Sequence, residues 1–174
     1  MRTDIEGVLV REASASDAEK LIAFVNALAD EPGIYIALSP REFNLSVDEE
    51  RVILEDYASS ENSIFLLAEL KGEIIANLNC RGGSRKATKH AVTLGMSVSK
   101  EWRNRGIGSI LLQHAIDWAR ENPFVSRIEL NVFVENTAAI HLYSKFGFQI
   151  EGLRRKSIFR DGKYHDDYLM ALLV

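Results

Sequence analysis

Two arginines and two glycines stand within six residues, Arg103, Arg105, Gly106 and Gly108, where a strand pattern gives way to a helix pattern. A helix that starts there leaves about four backbone N–H groups without partners and carries a partial positive charge of about half a unit. Both features favour an anion, and a phosphate group suits such a helix start. Gly106 and Gly108 would let the backbone approach closely, and Arg103 and Arg105 would add charge and donors. The dinucleotide-binding fingerprint does not fit, because its third glycine position holds Leu111, and the nucleotide-triphosphate loop lacks its Gly-Lys-Ser/Thr.

Other reactive side chains are scattered. Cys80 is the single cysteine, which excludes an internal disulfide and a multi-cysteine metal site, and it reads as a small buried hydrophobe rather than an acyl carrier. His90, His114, His141 and His165 do not fall at ligand spacing, so no metal is expected. His90, beside Lys89, reads as a surface histidine more readily than as a base, and Glu129 and Asn131 share the non-apolar face of one strand.

These groups must be placed by the elements around them. The strand 8–13 leads to a helix over 16–30, with Ser16 and Glu19 at capping-box spacing, and an irregular stretch 31–47 precedes a helix over 48–59. Connections of that length tend to form walls or lids of functional sites. A hairpin follows, with strands 63–70 and 73–80 around Lys71-Gly72. In the strand 90–98 the apolar Val92, Leu94, Met96 and Val98 alternate with the small Ala91, Thr93, Gly95 and Ser97, so another chain or ligand could lie against the small face. A helix from about Gly108 to Glu121, a strand 127–134, a helix 136–146 ended by Gly147, and two strands joined at Asp161-Gly162 complete the chain. The order is β-α-α-β-β-β-α-β-α-β-β, an α/β domain with a mixed sheet, read as one continuous domain over 1–174.

The totals agree. With 174 residues, 47% hydrophobic and 26% charged, the chain can bury a core, and its net charge of -4 offers no basic field for nucleic acid. No apolar run is long enough to span a membrane, and the first ten residues lack the order of a signal peptide, so a cytoplasmic location is expected.

Arg103-Asn104-Arg105-Gly106-Ile107-Gly108 resembles the R/Q-x-x-G-x-G/A motif of the Gcn5-related N-acetyltransferases, the GNAT family. Asn136, Ala139, Leu142, Tyr143, Gly147 and Phe148 are similar to the family's later motif, and the tail looks like its bacterial subgroup of amino-acid and ribosomal-protein N-terminal acetyltransferases. The resemblance covers roughly residues 8–174 and is strongest from 91 onward. It implies a mostly antiparallel sheet with a splayed parallel strand pair and helices on both faces. It also implies acetyl-CoA as cosubstrate, held by Met96, Val98, Arg103, Asn104, Arg105, Gly106, Ile107, Gly108, Ser109 and Asn136.

Acetyl transfer needs a neutral amine, a stabilised oxyanion and a proton for the departing thiolate. The resemblance assigns the proton to Tyr143 and the oxyanion donor to a backbone N–H near Val98. Asn136 and Tyr143 are seven residues apart, within about 20° of one helix face, so both can point into one cleft. For the acceptor side, Glu31, Tyr35, Glu129 and Asn131 are candidates, while "ANLN" at 76–79 departs from the family's usual small-then-apolar strand. The expected acceptor is a free amino acid or other small-molecule amine. A protein N-terminus and a non-catalytic acetyl-CoA-binding module are the alternatives, and a homodimer is left open.

Overall fold

The alternating segments form one seven-stranded sheet in the computed structural model, which describes Ile5 and residues 7–174. The reading of the first ten residues therefore lies partly outside the described residues. The elements are β1 (Val8–Glu12), α1 (Ala18–Ala29), α2 (Val47–Ser59), β2 (Ile64–Leu70), β3 (Glu73–Gly82), β4 (Ala91–Val98), α3 (Ile107–Glu121), β5 (Arg127–Phe133), α4 (Thr137–Lys145), β6 (Gln149–Arg160) and β7 (Lys163–Leu173). The strands lie in the order β1-β2-β3-β4-β5-β7-β6, and only β4 and β5 are parallel neighbours.

Local chemistry accounts for most boundaries. Both hairpins turn on a non-glycine residue followed by glycine, Lys71-Gly72 (φ 51° and 86°) and Asp161-Gly162 (φ 52° and 76°), the left-handed pair that matches strand twist. Helix α2 opens with Ser46 and Glu49 bonded reciprocally, at 3.2 Å and 2.8 Å. Helix α1 corrects the expected Ser16–Glu19 box. Ser14 instead donates its N–H to Asp17 (2.8 Å), a short 3-10 turn fills Ala15–Asp17, and the helix starts at Ala18. Asp17 is preferred because Arg11 on β1 grips both its oxygens, at 2.8 Å and 2.7 Å.

Helices cover both faces of the sheet. On one, α3 buries Ile107, Leu111, Leu112, Ala115, Ile116 and Ala119 over Val92, Leu94, Ile128 and Leu130. Burial of each large side chain contributes about 1.5–3 kcal/mol. On the other, Leu21, Phe24, Leu28 and Leu54 of α1 and α2 pack on Phe65, Leu67 and Ile74. Cys80 sits in the first of these cores with its thiol pushed up to about 12 by burial, so it holds no thiolate.

The irregular connection between α1 and α2 is firmly anchored. Ile34 and Ile36 pack on the α1–α2 core. Arg160, 4% exposed, donates to the carbonyls of Ile36 (3.0 Å), Leu38 (2.7 Å) and Ala29 (3.2 Å), so a buried guanidinium ties the connection to the end of β6. Among the described residues no helix is long and apolar enough to cross a membrane, and no three His, Cys, Asp or Glu side chains are grouped to hold a metal ion.

Candidate active site

The site begins where two strands part. β4 and β5 pair only over Ala91–Thr93 with Arg127–Glu129, and beyond that they diverge. Odd residues of β4 bond to β3: Gly83 donates to the carbonyl of Ala91 (3.2 Å), and Ser99 donates to that of Ile75 (2.9 Å). The alternate residues therefore turn toward β5, as the His90 carbonyl does when it accepts from Ser126 and Arg127. Met96 and Val98 consequently present backbone groups to an edge with no strand on it, and both line the cleft of about 740 Å³ that opens there.

The loop after β4 closes one end of this cleft. Asn104 (φ 59°) and Gly106 (φ 86°) both take the left-handed conformation, which turns the chain into α3 one residue earlier than the expected start. No side chain caps α3, so the N–H groups of Ile107, Gly108 and Ser109 are left for a ligand, and all three residues line the cleft. A side chain at Gly108 would begin 3.2 Å from Leu142 and 3.4 Å from Met96, two other cleft residues, so glycine keeps this floor open.

The two arginines separate. Arg103 lines the cleft, but its nitrogens are already engaged: Nη1 and Nη2 bind Glu31 at 2.5 Å and 2.7 Å, and Nε binds the carbonyl of Val98 at 2.9 Å. Arg105 is exposed, lies 5.0 Å over the ring of Trp102, and is absent from the cleft wall, contrary to the expectation of a second phosphate-facing arginine. Glu31 likewise stands behind Arg103 rather than in the cleft, joining the loop to the α1–α2 connection.

Asn136 and Tyr143 both line the cleft, as their spacing requires. Asn136 also caps α4, its Oδ1 accepting from Ala139 N–H at 3.2 Å, which leaves its amide N–H groups for the cleft. Tyr143 is 6% exposed, and burial raises its pKa above the ordinary phenol value, so it stays protonated throughout the neutral range. Its hydroxyl has no partner among the described residues, and its ring lies 5.7 Å from that of Phe148.

Across the cleft, Tyr35 and Asn131 join the wall. Tyr35 packs on Phe133 at 5.6 Å, and Phe133 meets His165 at 5.3 Å. Glu129 is not part of it: it pairs with Thr93 at the last position before the strands part, and it is held by Arg127 at 3.0 Å. His90 is exposed beyond the closed end, before Ala91. Under β4, Asn79 accepts from Tyr57 at 3.3 Å and lies 3.4 Å from where a Gly95 side chain would begin, so Gly95 makes room for Asn79. Asn77 Oδ1 is buried without a partner among the described residues.

Phe133, Arg154, Ser157, Ile158 and Asp167 line the cleft and escaped the sequence reading. The available signal was Asp167, a carboxylate two residues from the apolar Leu169 on a strand otherwise rich in core residues, a position that demands a buried partner.

A strand edge, an uncapped helix start and a buried phenol thus face one cleft. A model of the "Acetyltransferase (GNAT) family" matches residues 32–148, and the chain belongs to this family. An L-amino acid N-acetyltransferase of Escherichia coli is 39% identical over 106 residues, 61% of this chain and 65% of the relative's length. Just under two thirds of that relative is thus spanned. A solved GNAT-family acetyltransferase from Streptococcus pneumoniae superposes with a TM-score of 0.92 at 38% identity, over 96% of this chain and 99% of the other. A putative acetyltransferase from Salmonella typhimurium, solved with acetyl-CoA, shares the fold with a TM-score of 0.82 at 19% identity, over 97% and 94% of the two chains.

Proposed function

We infer that the chain transfers the acetyl group of acetyl-CoA directly to the amine of a small molecule, with free amino acids as the acceptor class. The observation that carries this reading is the meeting, in one cleft, of the open β4 edge, the uncapped start of α3 and the unpartnered hydroxyl of the buried Tyr143.

Each residue then has a physical task. Backbone N–H groups of Ile107, Gly108 and Ser109 hold the coenzyme's pyrophosphate at the positive end of α3. Met96 and Val98 pair with the pantetheine arm as a missing strand would, and Asn136 holds the arm from the opposite wall. Arg103 braces the loop: one N–H on each of its three nitrogens is held by Val98 or Glu31, which fixes the loop against the α1–α2 connection and leaves two N–H groups for the phosphate.

The amine attacks the thioester carbonyl, and the oxyanion is met by the N–H of Val98 at the end of the unpaired edge. When the tetrahedral intermediate collapses, the C–S bond breaks and Tyr143 protonates the leaving thiolate. The α-amine of a free amino acid is more basic than the polypeptide α-amine (pKa about 7.7–8.0), because its carboxylate stabilises the ammonium, so its small neutral fraction is what attacks and water takes the remaining proton.

The test is a screen of acetyl transfer to free amino acids, short peptides, polyamines and aminoglycosides, with thiol release as the readout. Amino acids are expected to turn over best. Turnover of peptide N-termini alone would move the chain to the protein-acetylating reading, and coenzyme binding without thiol release would make it a binding module.

A further inference from the structure

Two cationic side chains line the cleft, and they are not equally free. Arg103 has one N–H on each of Nε, Nη1 and Nη2 held by Val98 or Glu31. Arg154 binds Asp167 through Nε (2.8 Å) and Nη2 (2.5 Å), and its Nη1 has no partner among the described residues. The Arg154 side chain remains 50% exposed over a fully buried Asp167. The carboxylate thus orients the guanidinium plane from one edge and leaves the other edge open to the cleft. Burial alone would raise the pKa of Asp167, but the bonds from Arg154 and Ser157 outweigh it and hold the group below the usual carboxylate range, so the pair stays ionised at neutral pH.

The surroundings suit a small zwitterion with an apolar tail. Arg154 stands opposite Asp167, and Asp167 opposite Phe133, so the three side chains form a row on one face of the sheet. Tyr35 covers that face from the α1–α2 connection. Between Arg154 and Ile158 the pairing of β6 with β7 shifts register, and Ser157 and Ile158 reach the cleft from this bulge.

We propose that Arg154 binds the carboxylate of the acceptor, so that the substrates are α-amino acids whose apolar or aromatic side chains rest on Tyr35, Phe133 and Ile158. A polyamine would bring a second cation toward the guanidinium, and a peptide N-terminus would offer it only a neutral amide. This rests on the acetyl-transfer reading above and adds what the site demands of the acceptor.

The test compares steady-state acetyl transfer to L-phenylalanine and L-phenylalaninamide, and to L-methionine and its amide, each at equal concentration of neutral amine. The wild-type protein is expected to prefer the acid by about 10- to 100-fold in kcat/KM, one charge-assisted bond at 1.4 kcal/mol per tenfold. The double variant Arg154→Gln/Asp167→Asn removes both charges, so neither is left buried alone. In it the preference should vanish through a higher KM for the acid, with affinity for acetyl-CoA unchanged.

Should the double variant also lose acetyl-CoA affinity, Arg154→Lys keeps a charge over Asp167 and the same ratio decides: it should fall toward one. Equal wild-type rates for acid and amide, or a preference unchanged in the variants, would overturn the proposal. Transfer to polyamines or peptide N-termini but not to amino acids would overturn it while leaving the acetyltransferase reading intact. Thiol release with no amine at all would sink both.

Discussion

Tyr143 is buried so fully that its phenol stays neutral well into the alkaline range, which suits the proton-donor role proposed for it. Tyr143→Phe keeps the ring against Phe148 and removes only the donor. In single-turnover measurements the rate should fall by about 10² to 10⁴, the usual worth of general acid catalysis, with KM for acetyl-CoA nearly unchanged. Full activity in the variant would remove the assignment. The pH profile follows from the same burial. Because the raised pKa keeps the acid protonated, kcat/KM should climb as the amine loses its proton, with no decline before about pH 10. A decline between about pH 8 and 9 would point to a different acid. Gly108 offers a complementary probe, since a side chain there would press on Leu142 and Met96 inside the cleft. Gly108→Val should weaken acetyl-CoA binding at least about tenfold in a calorimetric titration while the helix itself survives.

Among the elements, the α1–α2 connection depends on Arg160. Removing this side chain strips partners from the carbonyls of Ala29, Ile36 and Leu38. Arg160→Met should cost about 2–4 kcal/mol in denaturant unfolding and expose the 31–46 segment to protease. Unaltered cleavage would mean that Ile34 and Ile36 anchor it alone. The start of α1 responds to pH through Asp17, whose pKa is lowered to about 2, first by its bonds from Arg11. A depressed carboxylate stabilises the fold above its unfolded pKa, and that stability disappears as pH falls through the folded value. Asp17→Asn should therefore cost about 2 kcal/mol at neutral pH, and the gap to wild type should close between about pH 4 and pH 2. Equal stability across that range would contradict the pairing.

What could be read in the amino-acid order at this level was local. The Lys71-Gly72 and Asp161-Gly162 turns, the alternation of β4 and the helical face carrying Asn136 and Tyr143 are all set within a few residues. The capping of α1 was misread because Arg11 selects Asp17, a choice made between elements. Arg154 was missed for a register reason. Counting back from the turn along an unbroken ladder would place it opposite Leu169, yet residues 155–157 bulge and bring it opposite Asp167. The Arg103–Glu31 pair joins residues 72 apart through an irregular segment, and no periodicity reports such a contact.

At the scale of the whole molecule, the cleft is a consequence of topology. β4 and β5 are joined by α3 in the crossover that parallel neighbours require, they pair for three residues, and the rest of each strand is free to diverge. The parting leaves one face to the start of α3 and to α4, and the other to the α1–α2 connection and the β6–β7 pair. In the proposed reaction, coenzyme and amine then meet from opposite sides without any group of the protein carrying the acetyl between them. Cys80, the one thiol, is sealed in the core with its pKa pushed up to about 12, which agrees with direct transfer. The most direct measurement is a rapid-quench single turnover of the preformed acetyl-CoA complex with an amino acid, following free thiol, N-acetyl product and the mass of the protein together. Direct transfer predicts that thiol and product appear at one rate and the protein mass never changes. An acetylated protein forming before the product, or thiol released without product, would contradict it.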